Sequence, residues 1–129
     1  MKPQTITIWR DSVAAGDDVF APHELKIEIE ENETIETTLG EILTRHYLAS
    51  IQGGKATWIV VGKTALAVIA QQWAKPQYLI EKTLRTKDVL DDKNEWHLDF
   101  RYWGQADPDE VIESIKQGKP LPDRYSAKH

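Results

Sequence analysis

The sequence contains no cysteine, a single methionine and only two phenylalanines among its 129 residues. Without cysteine the chain can form no disulfide framework, no thiolate zinc site and no cysteine nucleophile. Such a composition fits a reducing compartment, and we predict a cytoplasmic protein. No stretch approaches the roughly 18 apolar residues that a membrane span requires, and the first residues lead into a strand pattern rather than a signal peptide. The sequence therefore predicts no membrane partner.

The chain also lacks an excess of basic residues. Its formal net charge is −5 and its isoelectric point is near 5.3, whereas phosphate contacts need a basic footprint, so we predict no nucleic-acid partner. The charge is segregated: residues 1–41 carry a net −7, residues 42–87 a net +6 and residues 88–129 a net −4. Either these segments neutralise each other at the surface, or an acidic face docks a basic partner.

The length of the chain is sufficient for one domain with a buried core. Hydrophobic residues make up 40% of the sequence and charged residues 29%, which is typical of a globular protein. We predict a single domain over residues 1–118, followed by a loosely ordered tail at residues 119–129.

The most hydrophobic stretch of the sequence covers residues 56–73. Two apolar runs of strand length are separated by Gly62 and Lys63, which predicts a β-hairpin buried on both faces. A helix over residues 64–73 is the alternative, because alanine, leucine and glutamine are good helix formers. Val68, Ile69 and the short length of the run favour the strand.

The centre of this hairpin ends like a nucleotide-binding loop, with Gly62, Lys63 and Thr64. Such a loop also needs a glycine five residues before Gly62, so that glycine amides can surround a phosphate. That position is Thr57, and the residues between are bulky and apolar: Trp58, Ile59, Val60 and Val61. We therefore predict a hairpin turn and no nucleotide or other cofactor.

Period-two alternation of apolar residues predicts further strands at residues 5–10, 24–30 and 95–103, with a short strand at 78–80. Between the second strand and the hairpin, Thr38 and Glu41 have the spacing of a capping box, which predicts a helix that ends near residues 48–50. A last helix is predicted from its N-cap Asp107, from Pro108 at its first position and from Gly118 at its end. Residues 83–94 are polar and irregular, with Val89 and Leu90 as anchors.

The predicted order of elements is β-β-α-β-β-β-α. Its first five elements, which cover about the first 73 residues, resemble the β-grasp (ubiquitin-like) fold, in which a helix crosses a mixed sheet. The resemblance is one of element order and involves no sequence motif. The sequence therefore predicts an α+β fold with one mixed sheet and with helices packed mainly on one face.

Histidine and carboxylate residues offer few arrangements with catalytic or metal-binding spacing. None of the four histidines pairs with another at a spacing typical of metal ligands, so we predict no metal site and no enzyme. His97, Asp99 and Arg101 share one face of the strand at 95–103, and they give a second hypothesis, a small enzyme or ligand-binding domain with a deep pocket there. The loop that contains Asp11, Asp17 and Asp18 is interpreted first as surface turns, then as a docking loop for lysine or arginine, and last as a cation site.

Five tryptophans are many for this length, and Trp58 and Trp96 are assigned to the core. Trp9, Trp73 and Trp103 fall on opposite faces or at strand ends. Tryptophan is enriched in interface hot spots, so an aromatic patch surrounded by acids would suit protein recognition. The alternative is that the last helix or residues 83–94 cover them.

The first functional hypothesis is a non-enzymatic inhibitor that occludes a basic enzyme. Its concrete version is a bacterial immunity protein that neutralises a cognate toxin, and it rests on physical type rather than on a motif. The predicted partner-binding residues are Trp9, Asp11, Asp17, Asp18, Glu24, Glu28, Glu30 and Trp103.

Overall fold

A six-stranded mixed sheet forms the centre of the fold in the computed structural model, which describes residues 4–11, 24–45, 56–90, 97–103 and 107–119. The strands are β1 (Gln4–Arg10), β2 (Glu24–Ile29), β3 (Thr57–Val61), β4 (Ala65–Ala70), β5 (Gln77–Tyr78) and β6 (His97–Tyr102), and the helices are α1 (Ile35–Thr44), α2 (Thr86–Val89) and α3 (Pro108–Gln117). The strand order is β2-β1-β6-β3-β4-β5, and within the described residues only the β1–β6 pair is parallel. The predicted α+β class and single mixed sheet are confirmed.

The central hairpin is the predicted pair of strands, β3 and β4, and almost all of its side chains are buried. The alternative, a helix over residues 64–73, is wrong. The start of β4 contains an irregularity in the strand pairing. Val60 pairs with Ala67 and Val61 pairs with Ala65, so Leu66 has no partner residue in the register of β3. This irregularity allows Leu66 to join Ala67 in the larger core cluster.

The larger core cluster lies between the sheet and α1. Alternation along β1 and β2 directs every second side chain to this side, and α1 contributes an apolar stripe that packs on them. α1 follows the edge strand β2 and precedes β3, so the chain crosses β1 and β6 on this face, which is consistent with the β-grasp-like order. The cluster includes Ile6, Ile8, Ile27, Ile29, Ile35, Leu39, Ile42, Trp58, Leu98 and Phe100.

The start of α1 differs from the prediction. Its N-cap is Thr34, whose side chain accepts a hydrogen bond from the Thr37 amide at 3.2 Å. Thr38, predicted as the cap, lies inside the helix and is fully buried, so the predicted capping box is wrong. α1 ends at Thr44 with Arg45 as its C-cap, and residues 48–50, where its end was predicted, lie outside the described residues.

α3 begins and ends as predicted. The Asp107 side chain accepts a hydrogen bond from the Asp109 amide at 3.0 Å, Pro108 is the first helical residue, and Gly118 adopts the left-handed conformation with a φ of 66°. α3 packs against β4 on the face opposite α1, where Val111 joins Ile59 and Val68 in a second cluster. Among the helices of the described residues, α1 and α2 share one face of the sheet and α3 covers part of the other. Most of the predicted tail, residues 120–129, lies outside the described residues.

The remaining elements follow the predictions with small differences. The short strand β5 is Gln77–Tyr78 rather than 78–80. The segment predicted as irregular contains the four-residue helix α2, and its anchor Leu90 is fully buried. β6 directs Leu98 and Phe100 into the core, and Trp58 is buried as predicted, whereas Trp96 lies outside the described residues.

Candidate functional site

The half of the sheet formed by β2, β1 and β6 carries polar side chains on the face opposite α1. Because side chains alternate along a strand, Ile6 and Ile8 face the core while Thr7 and Trp9 face the other way. α3 packs over the other half of this face, on β3 and β4. We call the polar half the open sheet face, and its residues are Thr5, Thr7, Trp9, Glu24, Lys26, Glu28, His97, Asp99 and Arg101.

Trp9 lies at the centre of the open sheet face, between two carboxylates. In the sheet register it is paired with Glu24 of the antiparallel neighbour β2 and with Asp99 of the parallel neighbour β6. In an antiparallel pair such as Trp9 and Glu24, the Cβ atoms of directly opposite residues lie roughly 4.5–5.5 Å apart. The parallel pairing makes Asp99 the neighbour of Trp9 on the other side. The Trp9 side chain is 46% exposed, one of two large hydrophobic residues that are exposed in the described part of the chain. An aromatic surface with acids on both sides can receive a cationic side chain.

The charge segregation seen in the sequence is partly neutralised by ion pairs on the α1 side of the molecule. Lys82 lies 3.2 Å from Glu36, and Lys87 lies 3.3 Å from Glu31. These contacts join the acidic first segment to the basic second one. On β2 the situation differs, because Glu24 and Glu28 make no ion pair within the described residues. Neutralisation between segments therefore fits the α1 side of the molecule. The acids of β2 have the arrangement that a docking face for a basic partner would need.

The β6 side of the open sheet face contains two close pairs of ionisable side chains. His97 Nε2 lies 3.5 Å from Asp99 Oδ2, and both side chains are about one-third exposed or less. Arg101 Nε lies 3.4 Å from Asp11 Oδ2, and the same oxygen accepts a hydrogen bond from the Tyr102 amide at 3.0 Å. Asp11 was predicted as a partner-binding residue, and its carboxylate holds the end of β1 against β6.

The other predicted partner-binding residues do not all reach the open sheet face. Glu30 is exposed just beyond the end of β2, and its amide donates a hydrogen bond to the Glu33 carboxylate at 3.3 Å. Trp103 is partly buried against the second core cluster, beside α3. Asp17 and Asp18 lie outside the described residues. The structure therefore brings together Trp9, Glu24 and Glu28, and it adds His97 and Asp99 of the second hypothesis to the same face.

Two cavities that described residues line can be placed on the fold, and His97, Asp99 and Arg101 are not among the lining residues of these two. One is a groove of about 490 Å³ between α1 and β5. The other, of about 530 Å³, lies at the β2 edge next to the open sheet face and is lined by Thr5, Lys26, Ile27, Glu28, Glu41 and Arg45. Within the described ranges, no three histidine or acidic side chains cluster as metal ligands would. No helix in those ranges is both long and apolar enough to span a membrane.

Two residues of structural interest were not selected from the sequence. Arg10 is fully buried, and its Nη1 donates a hydrogen bond to the Asp11 carbonyl at 3.3 Å. The alternation that places Ile6 and Ile8 in the core also places Arg10 on the core face, so the pattern contained that signal. Gly40 lies inside α1 and lines the groove beside β5, and a glycine within a predicted helix was the signal there.

Comparison with known protein families, with curated proteins and with solved structures finds no match to this chain. The function must therefore be argued from the geometry and charge of the molecule itself.

Proposed function

We propose that the protein is a non-enzymatic inhibitor that binds a basic partner on the open sheet face. Its concrete form is a bacterial immunity protein, which acts in the cytoplasm and neutralises a cognate toxin by covering the toxin's site. The observation that carries the proposal is the position of Trp9, exposed in the middle of a sheet face and paired in register with Glu24 and Asp99.

The chemistry of this arrangement favours lysine or arginine on the partner. A cation above an indole ring is attracted by the ring's quadrupole, by roughly 0.5–1 kcal/mol at exposed sites and about 2 kcal/mol or more when water is excluded. The carboxylates of Glu24 and Asp99 add hydrogen-bond acceptors on both sides of that cation. Because the three residues lie on paired strands, their spacing is set before the partner arrives, which lowers the entropic cost of binding.

The size of the open sheet face indicates that it forms the centre of the interface and not the whole. Three strands about 4.8 Å apart, each contributing about five residues at about 3.3 Å per residue, cover an area of roughly 250 Å². A standard protein–protein interface buries about 800 Å² on each partner. We therefore propose that other residues supply the rim, and Asp17 and Asp18 are the acids that the sequence predicts for it. Rim acids of this kind accelerate encounter with a basic protein and make it dependent on salt.

Affinity capture from the native cell, followed by titration of the purified partner, tests the proposal. Reversal of charge in the double variant Glu24→Lys/Glu28→Lys is expected to weaken binding by at least about tenfold at low salt. Glu36→Lys/Glu81→Lys is the matched control, because it reverses two exposed acids, one on α1, which packs on the opposite side of the sheet, and one after β5. Binding through this face would be contradicted if the control weakened binding as much as Glu24→Lys/Glu28→Lys does, or if neither variant changed the affinity. For a toxin partner, co-expression with the wild-type chain should also restore growth.

The 3.5 Å contact between His97 and Asp99 favours a second candidate, a small enzyme or ligand-binding domain. Carboxylate and imidazole groups at this distance can orient each other for proton transfer. A thermal-shift screen of small molecules against the wild type and His97→Ala tests it. A compound that stabilises the wild type and not the variant would support this candidate, whereas compounds that stabilise neither, or both equally, would count against it.

A further inference from the structure

A groove of about 490 Å³ lies between α1 and the segment that contains β5. One wall is a row on α1 at helical spacing, Glu36, Gly40 and Leu43, and the facing wall includes residues 74–78 and Lys82. The groove is on the α1 side of the sheet and at the β5 edge, whereas the open sheet face is on the other side and extends to the β2 edge. The two features are therefore separate.

Gly40 is the residue that leaves this groove open. It lies in the interior of α1, where glycine is the least favourable residue apart from proline. A Cβ atom at this position would meet nothing within 4 Å, so close packing does not require the glycine. Its φ is not positive either, since Gly118 is the one positive-φ glycine of the described residues. The effect of Gly40 is a gap between Glu36 and Leu43 in the row that faces β5.

The groove combines apolar surface with a net positive charge, in a chain whose total charge is −5. Leu43 and Pro76 supply apolar contacts. Of the two lysines that line the groove, Lys82 is paired with Glu36 at 3.2 Å, whereas the exposed Lys75 makes no ion pair within the described residues. Burial, and then the nearby Glu36 carboxylate, raise the pKa of Tyr78, so its phenol stays protonated and can donate a hydrogen bond into the groove.

We propose that this groove is a binding site for a small amphipathic carboxylate. The apolar body lies against Leu43 and Pro76 and over the gap at Gly40, and the carboxylate is held by Lys75. The volume is within the range of about 300–1,000 Å³ that is typical of small-molecule sites, and such sites combine apolar walls with a few polar groups. The proposal does not depend on the inhibitor function, because it uses the opposite face of the sheet.

The experiment is a titration of the ¹⁵N-labelled protein with 4-phenylbutyrate, followed by NMR, and a parallel titration with 4-phenylbutanol. The two probes have the same apolar body, and only the first has a charge. The acid is expected to give saturable shifts at the amides around Gly40, Leu43 and Tyr78, and to bind more tightly than the alcohol. Saturation at other sites, no saturation in the millimolar range, or equal affinity for acid and alcohol would overturn the proposal.

Variants separate the two parts of the site. Lys75→Glu should weaken binding of the acid by about threefold to fivefold, as expected for an exposed ion pair, without changing binding of the alcohol. Lys63→Glu, an exposed lysine in the turn between β3 and β4, is the matched control and should change neither. Gly40→Leu fills the gap and should weaken both probes by more than about tenfold. Gly40→Ala adds one methyl group with less risk to the fold, and the shifts at the amides around position 40 should persist on titration with the acid. Undiminished binding in a folded Gly40→Leu protein, or loss of those shifts in Gly40→Ala, contradicts the assigned location.

Discussion

Gly62 lies directly against the carbonyl oxygen of Val89, so closely that a Cβ atom added at position 62 would overlap that oxygen. The same carbonyl accepts a hydrogen bond from the Lys63 amide at 2.9 Å. The turn between β3 and β4 is therefore held against the end of α2 by main-chain contacts. Packing explains why position 62 of the Gly62-Lys63-Thr64 sequence is a glycine. Two backbone segments approach each other so closely there that no larger residue fits.

Gly62→Ala is accordingly expected to destabilise the protein by about 1–3 kcal/mol, because the overlap is with backbone and a flexible side chain cannot move away to relieve it. The free energy of unfolding from urea denaturation, followed by circular dichroism, measures this change. An unchanged midpoint would mean that the turn does not pack on Val89 as described.

Gly40→Ala is expected to have the opposite sign. Since the new methyl group meets no atom within 4 Å, the gain in helix propensity should stabilise the protein by roughly 0.5–1 kcal/mol. The same urea experiment compares the two glycines directly. Destabilisation by Gly40→Ala would show that α1 is packed more tightly at this position than the structure indicates.

Features that depend on nearby residues could be predicted from the sequence. The strands follow from alternation, the hairpin from two apolar runs around Gly62, and the limits of α3 from Asp107, Pro108 and Gly118. Thr38 shows where local reasoning fails. It has the spacing of a capping box with Glu41, yet its hydroxyl contacts Thr86, which is 48 residues away in the chain. A contact of that kind leaves no local trace in the sequence.

The candidate site required knowledge of the sheet register. The sequence indicates that Trp9 lies opposite the core face of its strand, and that Glu24 and Glu28 share a face of theirs. It does not indicate that β6, about 90 residues later, pairs in parallel with β1 and places Asp99 beside Trp9. The same pairing brings the residues of both functional hypotheses onto one face. The position of α3 was similarly hidden, because an apolar helix stripe does not specify which face of a sheet it covers.

The Thr38 and Thr86 hydroxyls are 2.6 Å apart and both residues are fully buried, while Thr38 also donates a hydrogen bond to the Glu33 carboxylate at 2.6 Å. Thr38→Val should destabilise the protein by about 1–3 kcal/mol, because the buried Thr86 hydroxyl and the Glu33 carboxylate both lose a partner. Thr86→Val should cost less, because the Thr38 hydroxyl still donates to Glu33. The double variant should cost less than the sum of the two, since it leaves no buried Thr86 hydroxyl without a partner. A double-mutant cycle from urea denaturation gives the coupling, and strictly additive losses would argue against the contact between α1 and α2.

Tyr78 should make the stability of the protein depend on alkaline pH. Its pKa in the folded protein is raised from 10.0 by burial and then by Glu36, so the unfolded chain loses this proton at a lower pH than the native state does. The contribution of the protonated Tyr78 to the free energy of unfolding is therefore fully present below about pH 10. It is lost as the pH rises through the raised pKa of the folded protein. The wild type should lose stability relative to Tyr78→Phe above about pH 10. Glu36→Gln is the control and should reduce the difference without removing it, because burial acts first; parallel pH profiles for the wild type and Tyr78→Phe would contradict this assignment.

Trp58 should contribute mainly to the stability of the fold, and Trp9 mainly to binding of the partner. Trp58 is buried, and its ring centre lies 4.9 Å from that of Tyr102, so Trp58→Ala should cost about 3–5 kcal/mol in the free energy of unfolding. Trp9 is 46% exposed on the open sheet face, and Trp9→Ala should change that free energy by no more than about 1 kcal/mol.

If the open sheet face binds a basic partner, Trp9→Ala should nevertheless weaken the complex by at least about 2 kcal/mol, the size of a hot-spot residue. Urea denaturation and partner titration on the same protein samples separate the two effects. A Trp9→Ala protein that binds its partner as tightly as the wild type would remove the central residue from the proposed interface, and a large loss of stability would instead assign Trp9 to the fold.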